Sequence, residues 1–482
     1  MDRSQCHSGA PRHTRPFGCA PWFSGRSNLR RISHAVAPLG LVLTLCLPGV
    51  SQPSTPASSP DGSQTAPLVL TLSDALKRAI AYSPEFQSAV TAAKIARQNI
   101  VQARAALLPS VDYLLQELLT EGNGKTPTGR YVTNDGVHVY RSWGVVRQTF
   151  SADTLTRAGL RHASAAEEVA KAQQEIALRG LRVAVTQAYY ALVVAEREYA
   201  TAQQSLDQAA QSLKISQELE RGQEVAHSDV ITFQIAHNQE QQAFEEATLA
   251  MENARLALAV MLFPDFNQDF SVIDDLDSVP PLPALEEASR MAQAKNPEIR
   301  SAMASLRETQ YGVSEARAAL LPTLSFDADY GIEANDFALY SQAAAFPEAG
   351  KLPNLGFFIT GSLNVPVWNW GATISKVRQA EYQRQQAETQ LSFTQRQMLK
   401  DLYADYNEAR TATSELDNLR SSASLAAEAF RLNELRYRAG DATVLDVLNA
   451  QKTVTETRDS YANGLARYRV ALAVLQTVTG SF

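Results

Sequence analysis

Ala103-Arg104-Ala105-Ala106-Leu107-Leu108-Pro109 recurs unchanged, 213 residues later, as Ala316-Arg317-Ala318-Ala319-Leu320-Leu321-Pro322. At the same offset Pro84-Glu85 answers Pro297-Glu298, and Ser88-Ala89 answers Ser301-Ala302. Ala257-Leu258-Ala259-Val260 returns as Ala471-Leu472-Ala473-Val474 near the ends of the two halves, and Asp229-Val230 corresponds to Asp446-Val447. One Ala-rich match is within compositional chance, but an ordered set is not. The chain is an internal duplication, and its fold has to be read as two similar halves.

Each half presents the same order of parts. Thr71-Leu72-Ser73-Asp74 has the form of a capping box. Ser83-Pro84 and Asn296-Pro297 place a capping residue before a proline, which suits a restart at the first helical position. The next helix spaces its apolar residues by three and four (Phe86, Val90, Ala93, Ala96, Ile100, Ala103, Leu107) and stops at Pro109, as its twin does at Pro322. Beyond each proline the period becomes twofold. Leu324, Phe326, Ala328, Tyr330 and Ile332 alternate with polar residues, and so do Leu355, Phe357, Ile359, Leu363, Val365 and Val367. These segments, 323–332 and 355–367, predict strands with one apolar face. Their first-half equivalents near Val111–Thr120 and Val137–Phe150 are noisier, because Leu114 and Leu118 break the alternation. Polar segments Glu121–Gly136 and Glu333–Asn354 join each strand pair.

Very long helices follow. No proline lies between Pro127 and Pro264 or after Pro366. The stretch from about Leu155 to Arg221 would extend roughly 100 Å as one helix. Breaks are expected at Gly222 and Gly440, each followed by a returning helix of roughly 40 residues. In the last one Val447, Val454, Tyr461, Tyr468 and Leu475 recur every seven residues, with Leu465 and Leu472 four beyond the tyrosines, the pattern of a left-handed coiled coil. Helices of that length must pack against other chains or project as a rod.

The 482 residues are 45% hydrophobic and 20% charged, which suits a folded protein. The cleanest apolar run, Leu39–Leu47, is far shorter than the roughly 20 residues of a spanning helix. Arg26, Arg30 and Arg31 precede it and small or polar residues follow, so residues 1–50 read as a signal peptide. Arg30-Arg31 fits an ordinary basic flank. Leu43-Thr44-Leu45-Cys46 has the outline of a lipoprotein box, although Leu45 is bulky where a small residue belongs, and makes Cys46 the one candidate for lipidation. Cys6, Cys19 and Cys46 all lie in the leader, so disulfides, Cys-metal sites and Cys nucleophiles are excluded beyond it. The first 50 residues carry six Arg and one Asp, which leaves −12 of the total −7 for the remainder, a poor balance for nucleic acid. The expected organisation is a leader (1–50), a Ser/Pro-rich linker (51–67), a first repeat (68–263), an inter-repeat linker (264–284) and a second repeat (285–482).

Four strands with one apolar face cannot close a barrel, since about eight are needed even for a filled one. Open edges are not tolerated in lipid, so several chains must share one barrel if the strands span the membrane. Here the chain resembles the TolC family of outer-membrane efflux proteins. The resemblance is carried by Leu72-Ser73-Asp74-Ala75-Leu76 with Ser83-Pro84-Glu85 and the doubled Ala-Arg-Ala-Ala-Leu-Leu-Pro. It continues through Pro366-Val367-Trp368-Asn369-Trp370-Gly371 with Arg378-Gln379-Ala380, and Tyr437-Arg438-Ala439-Gly440 with Asp446-Val447-Leu448-Asn449-Ala450. It covers about residues 68–480. It implies long α-helical coiled coils plus four transmembrane β-strands per chain, closing a trimeric twelve-stranded barrel and a periplasmic helical tunnel. It also implies a homotrimer in outer-membrane lipid, a periplasmic adaptor protein and an inner-membrane pump of the RND, ABC or MFS type. In this family the periplasmic tip is narrowed by acidic residues and tied by polar contacts. Asp446 falls on the acidic position and Tyr437 on the tying tyrosine. Asn449 stands where some relatives have a second Asp, and Ala442 where some have an Arg. Asp229 is the possible first-repeat partner, although it lies seven residues beyond Gly222 and Asp446 only six beyond Gly440.

Plainer readings stand beside these. Asp446 at a helix start also serves the helix dipole. His227 and His237, ten apart without acidic or Cys partners at ligand spacing, read as ordinary surface histidines. Tyr461 and Tyr468 read as coiled-coil core, and Asp274, Asp275 and Asp277 beside three prolines as a solvated linker. No phosphate loop, nucleophile elbow or metal-ligand cluster is present, so no catalytic, cofactor or metal residues are expected. A structural periplasmic coiled-coil protein is the rival reading, which has no use for the alternating strands.

Overall fold

The computed structural model describes residues 68–119, 138–265, 269–334, 337–344 and 351–480. The leader with Cys46, the segment 51–67 and the connection 121–136 lie outside these residues.

The first half runs β1 (Leu68–Leu70), α1 (Leu72–Tyr82), α2 (Pro84–Ala105), β2 (Ser110–Leu119), β3 (His138–Phe150), α3 (Ala152–Thr156), α4 (Ala158–Arg221) and α5 (His227–Leu262). The second runs β4 (Phe270–Val272), α6 (Leu285–Lys295), α7 (Pro297–Ala318), β5 (Thr323–Ala334), β6 (Tyr340–Ala344), β7 (Lys351–Pro353), β8 (Leu355–Asn364), α8 (Ala372–Arg438) and α9 (Val444–Thr479). The helix starts follow local chemistry. Thr71 Oγ1 accepts from Asp74 N at 3.1 Å, Ser83 Oγ from Phe86 N at 3.3 Å, and Asn296 Oδ1 from Glu298 N at 2.9 Å. Each satisfies an amide that the first helical turn leaves without a partner.

Three expectations change at the joints. The long first-half helix does not run through from Leu155: α3 closes at Arg157, which takes the left-handed conformation (φ 55°), and α4 starts anew with Gly159 N bonded to Asp153 Oδ1 at 2.8 Å. Trp370 (φ 57°) and Gly371 (φ 81°) turn the chain at the corresponding point of the second half, and there too strand gives way to helix. The last strand ends at Asn364 rather than 367, because Pro366 has no amide to extend a ladder. The polar connection 333–354 contains a small antiparallel pair, β6 with β7, whose residues are too few to show a period.

β2, β3, β5 and β8 form one antiparallel sheet in that order, so the halves meet at the β3–β5 ladder. Its register puts Leu324 beside Leu363, Ala328 beside Ile359 and Tyr330 beside Phe357, an apolar face that is largely exposed in one chain. The other face carries the ion pairs Arg147–Asp327 (2.7 Å) and Arg141–Glu333 (3.0 Å). Leu114 and Leu118 break the alternation because they lie on this second face, opposite Trp143 and Val139.

Below the sheet the helices pack by sevens. Ala158, Ala165, Ala172, Arg179, Thr186 and Val193 of α4 are all buried, as are Val447, Val454, Tyr468 and Leu475 of α9, while Tyr461 packs against the main core. At 64 and 67 residues α4 and α8 each extend about 100 Å. Arg179 fastens the halves at one end: its guanidinium donates to Thr477 O (2.7 Å) and Lys295 O (3.4 Å), at the carboxyl ends of α9 and α6 where positive charge is favoured.

The segment between the halves is solvent-exposed at its aspartates, as expected, but it is anchored rather than free. β4 pairs in parallel with β1. Asp274 and Asp277 both grip Arg197 of α4, at 2.5 and 2.9 Å, and Asp275 holds Arg469 of α9 at 3.3 Å. Tyr189 donates to Ile273 O (2.7 Å) and Tyr468 to Pro280 O. Prolines and aspartates signalled this exposure, but not the anchoring, because both arginines lie far away in sequence, one in each half.

Gly331 is required by close approach. A Cβ there would stand 2.0 Å from Ser142 O and 2.8 Å from Trp143 Cα, whereas one at Gly356 would meet nothing within 4 Å. Gly331→Ala is therefore expected to abolish a protease-resistant folded core in limited proteolysis. Gly356→Ala should retain it.

Candidate functional site

Two helical hairpins end in turns, α4 to α5 and α8 to α9, and the sequence-predicted site residues gather there. The turns have one geometry. In the first, Gln223 N bonds Glu220 O (2.9 Å) and Glu224 N bonds Leu219 O (2.9 Å); in the second, Gly440 N bonds Tyr437 O (3.0 Å) and Asp441 N bonds Arg436 O (2.8 Å). The left-handed residue is Gln223 (φ 60°) in one and Gly440 (φ 81°) in the other. Gly222 itself is right-handed, with φ −76°. Counted from the left-handed residues, Asp229 and Asp446 both lie six positions on, so the offset that separated them in the sequence disappears.

The side chains differ at these matched positions. Thr443 caps α9 and forms a capping box with Asp446, whose Oδ2 accepts from Thr443 N at 2.8 Å and from Thr443 Oγ1 at 2.7 Å. The Thr443 hydroxyl, its amide and, less strongly, Arg436 hold the Asp446 carboxyl below the usual aspartate range. One carboxylate oxygen is used in the cap, and the side chain remains exposed. At the other turn Ala226 has no capping side chain, and His227 Nδ1 meets Glu220 Oε1 across the bend at 2.6 Å. Asn449 is exposed one turn beyond Asp446, and Ala442 packs on the cluster beneath.

Tyr437 lies inside the tip. Its ring meets Phe233 of α5 edge-on, 5.5 Å between centroids, within a cluster that includes Phe430, Val447 and Val454. The ring thus joins the second hairpin to the first. The hydroxyl is buried beside that of Ser216, and neither completes a well-aligned hydrogen bond. Burial pushes the Tyr437 phenol up; the Ser216 hydroxyl lowers it and the nearby Asp229 carboxylate raises it further. His237 is half-buried, with Nδ1 unbonded, rather than a surface residue. Among the described residues no three His, Cys, Asp or Glu side chains converge as metal ligands. Sequence reading missed Phe233, Ser216 and Thr443. Only Thr443 had a local signal, since Thr443-x-x-Asp446 is itself a capping pattern.

The cap makes the start of α9 pH-sensitive in a defined direction. A lowered carboxyl contributes above its unfolded value near 4 and ceases to do so as pH falls through its own lower value. Thr443→Ala is expected to speed amide hydrogen exchange in the first turn of α9 several-fold at neutral pH, with no comparable change in the first turn of α5.

The description "Outer membrane efflux protein" matches residues 288–481. The pyoverdine export outer membrane protein OpmQ of Pseudomonas putida is 29% identical over 39% of this chain, an alignment that spans 38% of that protein. The alkaline protease secretion protein AprF of Pseudomonas aeruginosa is 24% identical over 85% of this chain and 84% of its own length. The Campylobacter jejuni CmeC outer membrane channel shares the fold, with a TM-score of 0.72 at 18% identity over 85% of both chains. The family match falls on the second half, while AprF and CmeC extend the likeness to both halves and to the sheet between them. In sequence over its second half and in fold over the whole, the chain is similar to outer membrane efflux proteins and channels.

Proposed function

We propose that three copies of this chain form an exit duct through the outer membrane and periplasm, serving a tripartite efflux or type I secretion system. The observation that carries this reading is the four-stranded sheet with an exposed apolar face and two edge strands, β2 and β8, whose outer edges meet no strand among the described residues. In lipid every backbone group needs a partner, so β8 of one copy has to meet β2 of the next. Three copies supply twelve strands, wide enough for an aqueous lumen where eight are filled by side chains. Contacts of this head-to-tail kind close into a ring. The helices repeat the logic, since Tyr382, Phe393 and Leu425 of α8 are exposed along one edge of the hairpins and Ile95, Leu249 and Val260 of α2 and α5 along the other. Trp368 and Trp370, exposed just past β8, suit the membrane–water boundary.

The residues act by position and charge, without covalent chemistry. Solutes handed over by an adaptor and an inner-membrane pump pass along the lumen. At the tip, three copies of Asp446 around the axis make a ring of like charge that favours cations. Asn449 one turn on adds no charge to it. Tyr437, wedged on Phe233 beside Asp229, holds the second hairpin against the first and so sets the resting aperture.

Native mass spectrometry in mild detergent is expected to give a mass of three chains; a stable monomer or dimer that conducts ions would overturn the proposal. In planar bilayers Asp446→Asn should weaken cation selectivity and relieve divalent block from the tip side. Tyr437→Ala, which empties the space against Phe233, should raise resting conductance more than Tyr437→Phe, which keeps the ring. Unchanged selectivity in Asp446→Asn would reduce that residue to its cap.

A further inference from the structure

Three charged contacts close the seam between α4 and α7, where the two halves meet beneath the sheet. Glu175 holds Arg300 at 2.7 Å and Glu168 holds Arg307 at 2.9 Å. Both partners step by seven residues, so the next rung falls at Arg161 and Ser314, which make no ion pair among the described residues. The contact is made one residue further along each helix. His162 Nδ1 lies 3.1 Å from Glu315 Oε2, and its Nε2 lies 3.8 Å from Glu308 Oε1. Glu308 and Glu315 are two turns apart on α7. Gly312 between them leaves the space that the ring occupies, for even a Cβ there would stand 3.8 Å from Nε2. The half-buried imidazole thus has a carboxylate at each nitrogen, in a groove of about 800 Å³ between α4, α7 and α8. The rest of the polar lining is uncharged, including Gln383, Gln386 and Gln390 of α8. Charges nearby are committed elsewhere: Arg307 to Glu168, Arg317 to Glu381, Arg384 to Glu388, and Asp153 of α3 to Gly159 N.

We propose that His162 is a proton-operated clasp between the two halves. A neutral imidazole carries a single N–H. Donated to Glu315, it leaves the Nε2 lone pair facing the Glu308 carboxylate, acceptor against acceptor. A protonated ring carries an N–H on both nitrogens and bonds a glutamate on either side, so one residue of α4 holds two turns of α7. Bonds between charged partners are the stronger kind. The clasp is therefore closed with the ring charged, and it weakens as pH rises through the range in which histidine gives up its proton. The two arginine rungs keep their charge throughout. Of the three contacts, only the one nearest the sheet responds to pH between about 5 and 8. The clasp lies within one chain and does not depend on the duct reading. In a duct it makes the wall just below the barrel firmer in acid.

The test is amide hydrogen exchange on the purified full-length protein in mild detergent at pH 5.5 and pH 8, corrected for the intrinsic effect of pH on exchange. EDTA excludes a metal bridging the same groups. Amides over residues 305–318 of α7 are expected to exchange about two- to fivefold faster at pH 8, the size of one or two partly exposed ion pairs. His162→Gln, always neutral, should show the faster rate at both pH values, and His162→Arg, always charged, the slower rate at both. Glu308→Gln leaves the ring in place and gives Nε2 an amide that can donate or accept, so it should lessen the pH response without loosening the seam at pH 8. Asp405 and Asp459, which burial pushes up to about 6, titrate in the same window on α8 and α9, but every variant retains them. A residue that served packing alone would speed exchange equally at both pH values when replaced and leave the pH response intact. That outcome in His162→Gln, or an undiminished response in Glu308→Gln, overturns the clasp whether or not three copies assemble.

Discussion

A sheet cannot end in lipid with its edge amides and carbonyls unpaired, and that constraint organises this protein. The β3–β5 ladder joins the two halves at the centre of the sheet, which leaves β2 and β8 as its edges. Each half alone would offer two strands, a marginal hairpin even in water. Duplication gives four, with one coherent apolar face whose register aligns Leu324 with Leu363 and Tyr330 with Phe357. Four is still too few to close a barrel, so on the proposed reading assembly is built into the sheet before any helix is considered. The helices follow from it, because each strand pair feeds a helical hairpin and the hairpins must stand side by side wherever the strands do.

Duplication also set up two tips with one backbone and different side chains. Gln223 adopts the left-handed conformation that Gly440 adopts without strain, a difference of about 1–2 kcal/mol against the first turn. Ala226 leaves uncapped the helix start that Thr443 caps. Glu220, matched to Tyr437, points to His227 across the turn instead of into the cluster. The second tip is thus defined by its own local chemistry and the first by what packs on it. Phe233 against Tyr437 joins them, with Leu213, Ile215 and Leu219 of α4 packed on the same cluster.

The parts legible in the sequence were those with a period or a cap. The sevenfold recurrence from Val447 to Leu475 gave the face that α9 buries, and the alternation over 323–332 gave β5 almost to the residue. The unreadable parts depend on partners distant in sequence. Asp274, Asp275 and Asp277 look unanchored until Arg197 and Arg469 arrive from the two halves. Leu114 looks like noise until Trp143 is seen opposite it. Arg157 carries no local mark of a positive φ; only its match to Trp370, on the far side of the duplication, could have marked it. At the tip, glycine misled the reading, since Gly222 suggested a break one residue early and thereby separated Asp229 from Asp446.

The seam between the halves changes character below mid-height, between an aromatic core and the apolar cluster at the tip. At mid-height α4 and α9 bury Tyr189, Tyr190, Leu465 and Tyr468, and the strapped segment between the halves locks them there; burial and nearby carboxylates push the Tyr189 phenol up to about 12 although it donates to Ile273 O. Nearer the tip α4 buries Ala202, Ser205, Ala209 and Ser212 instead, and α9 meets it with Gln451 and Thr455, bonded to Ser205 at 2.9 Å each. Small side chains bury little apolar area, and polar contacts of this kind exchange readily for contacts with water. Separating the halves over residues 202–212 therefore costs less per turn than separating them at mid-height. At the tip itself the seam is apolar again: Tyr437 packs on Phe233, and Leu213, Ile215 and Leu219 of α4 pack on the same cluster as Val447 and Val454 of α9.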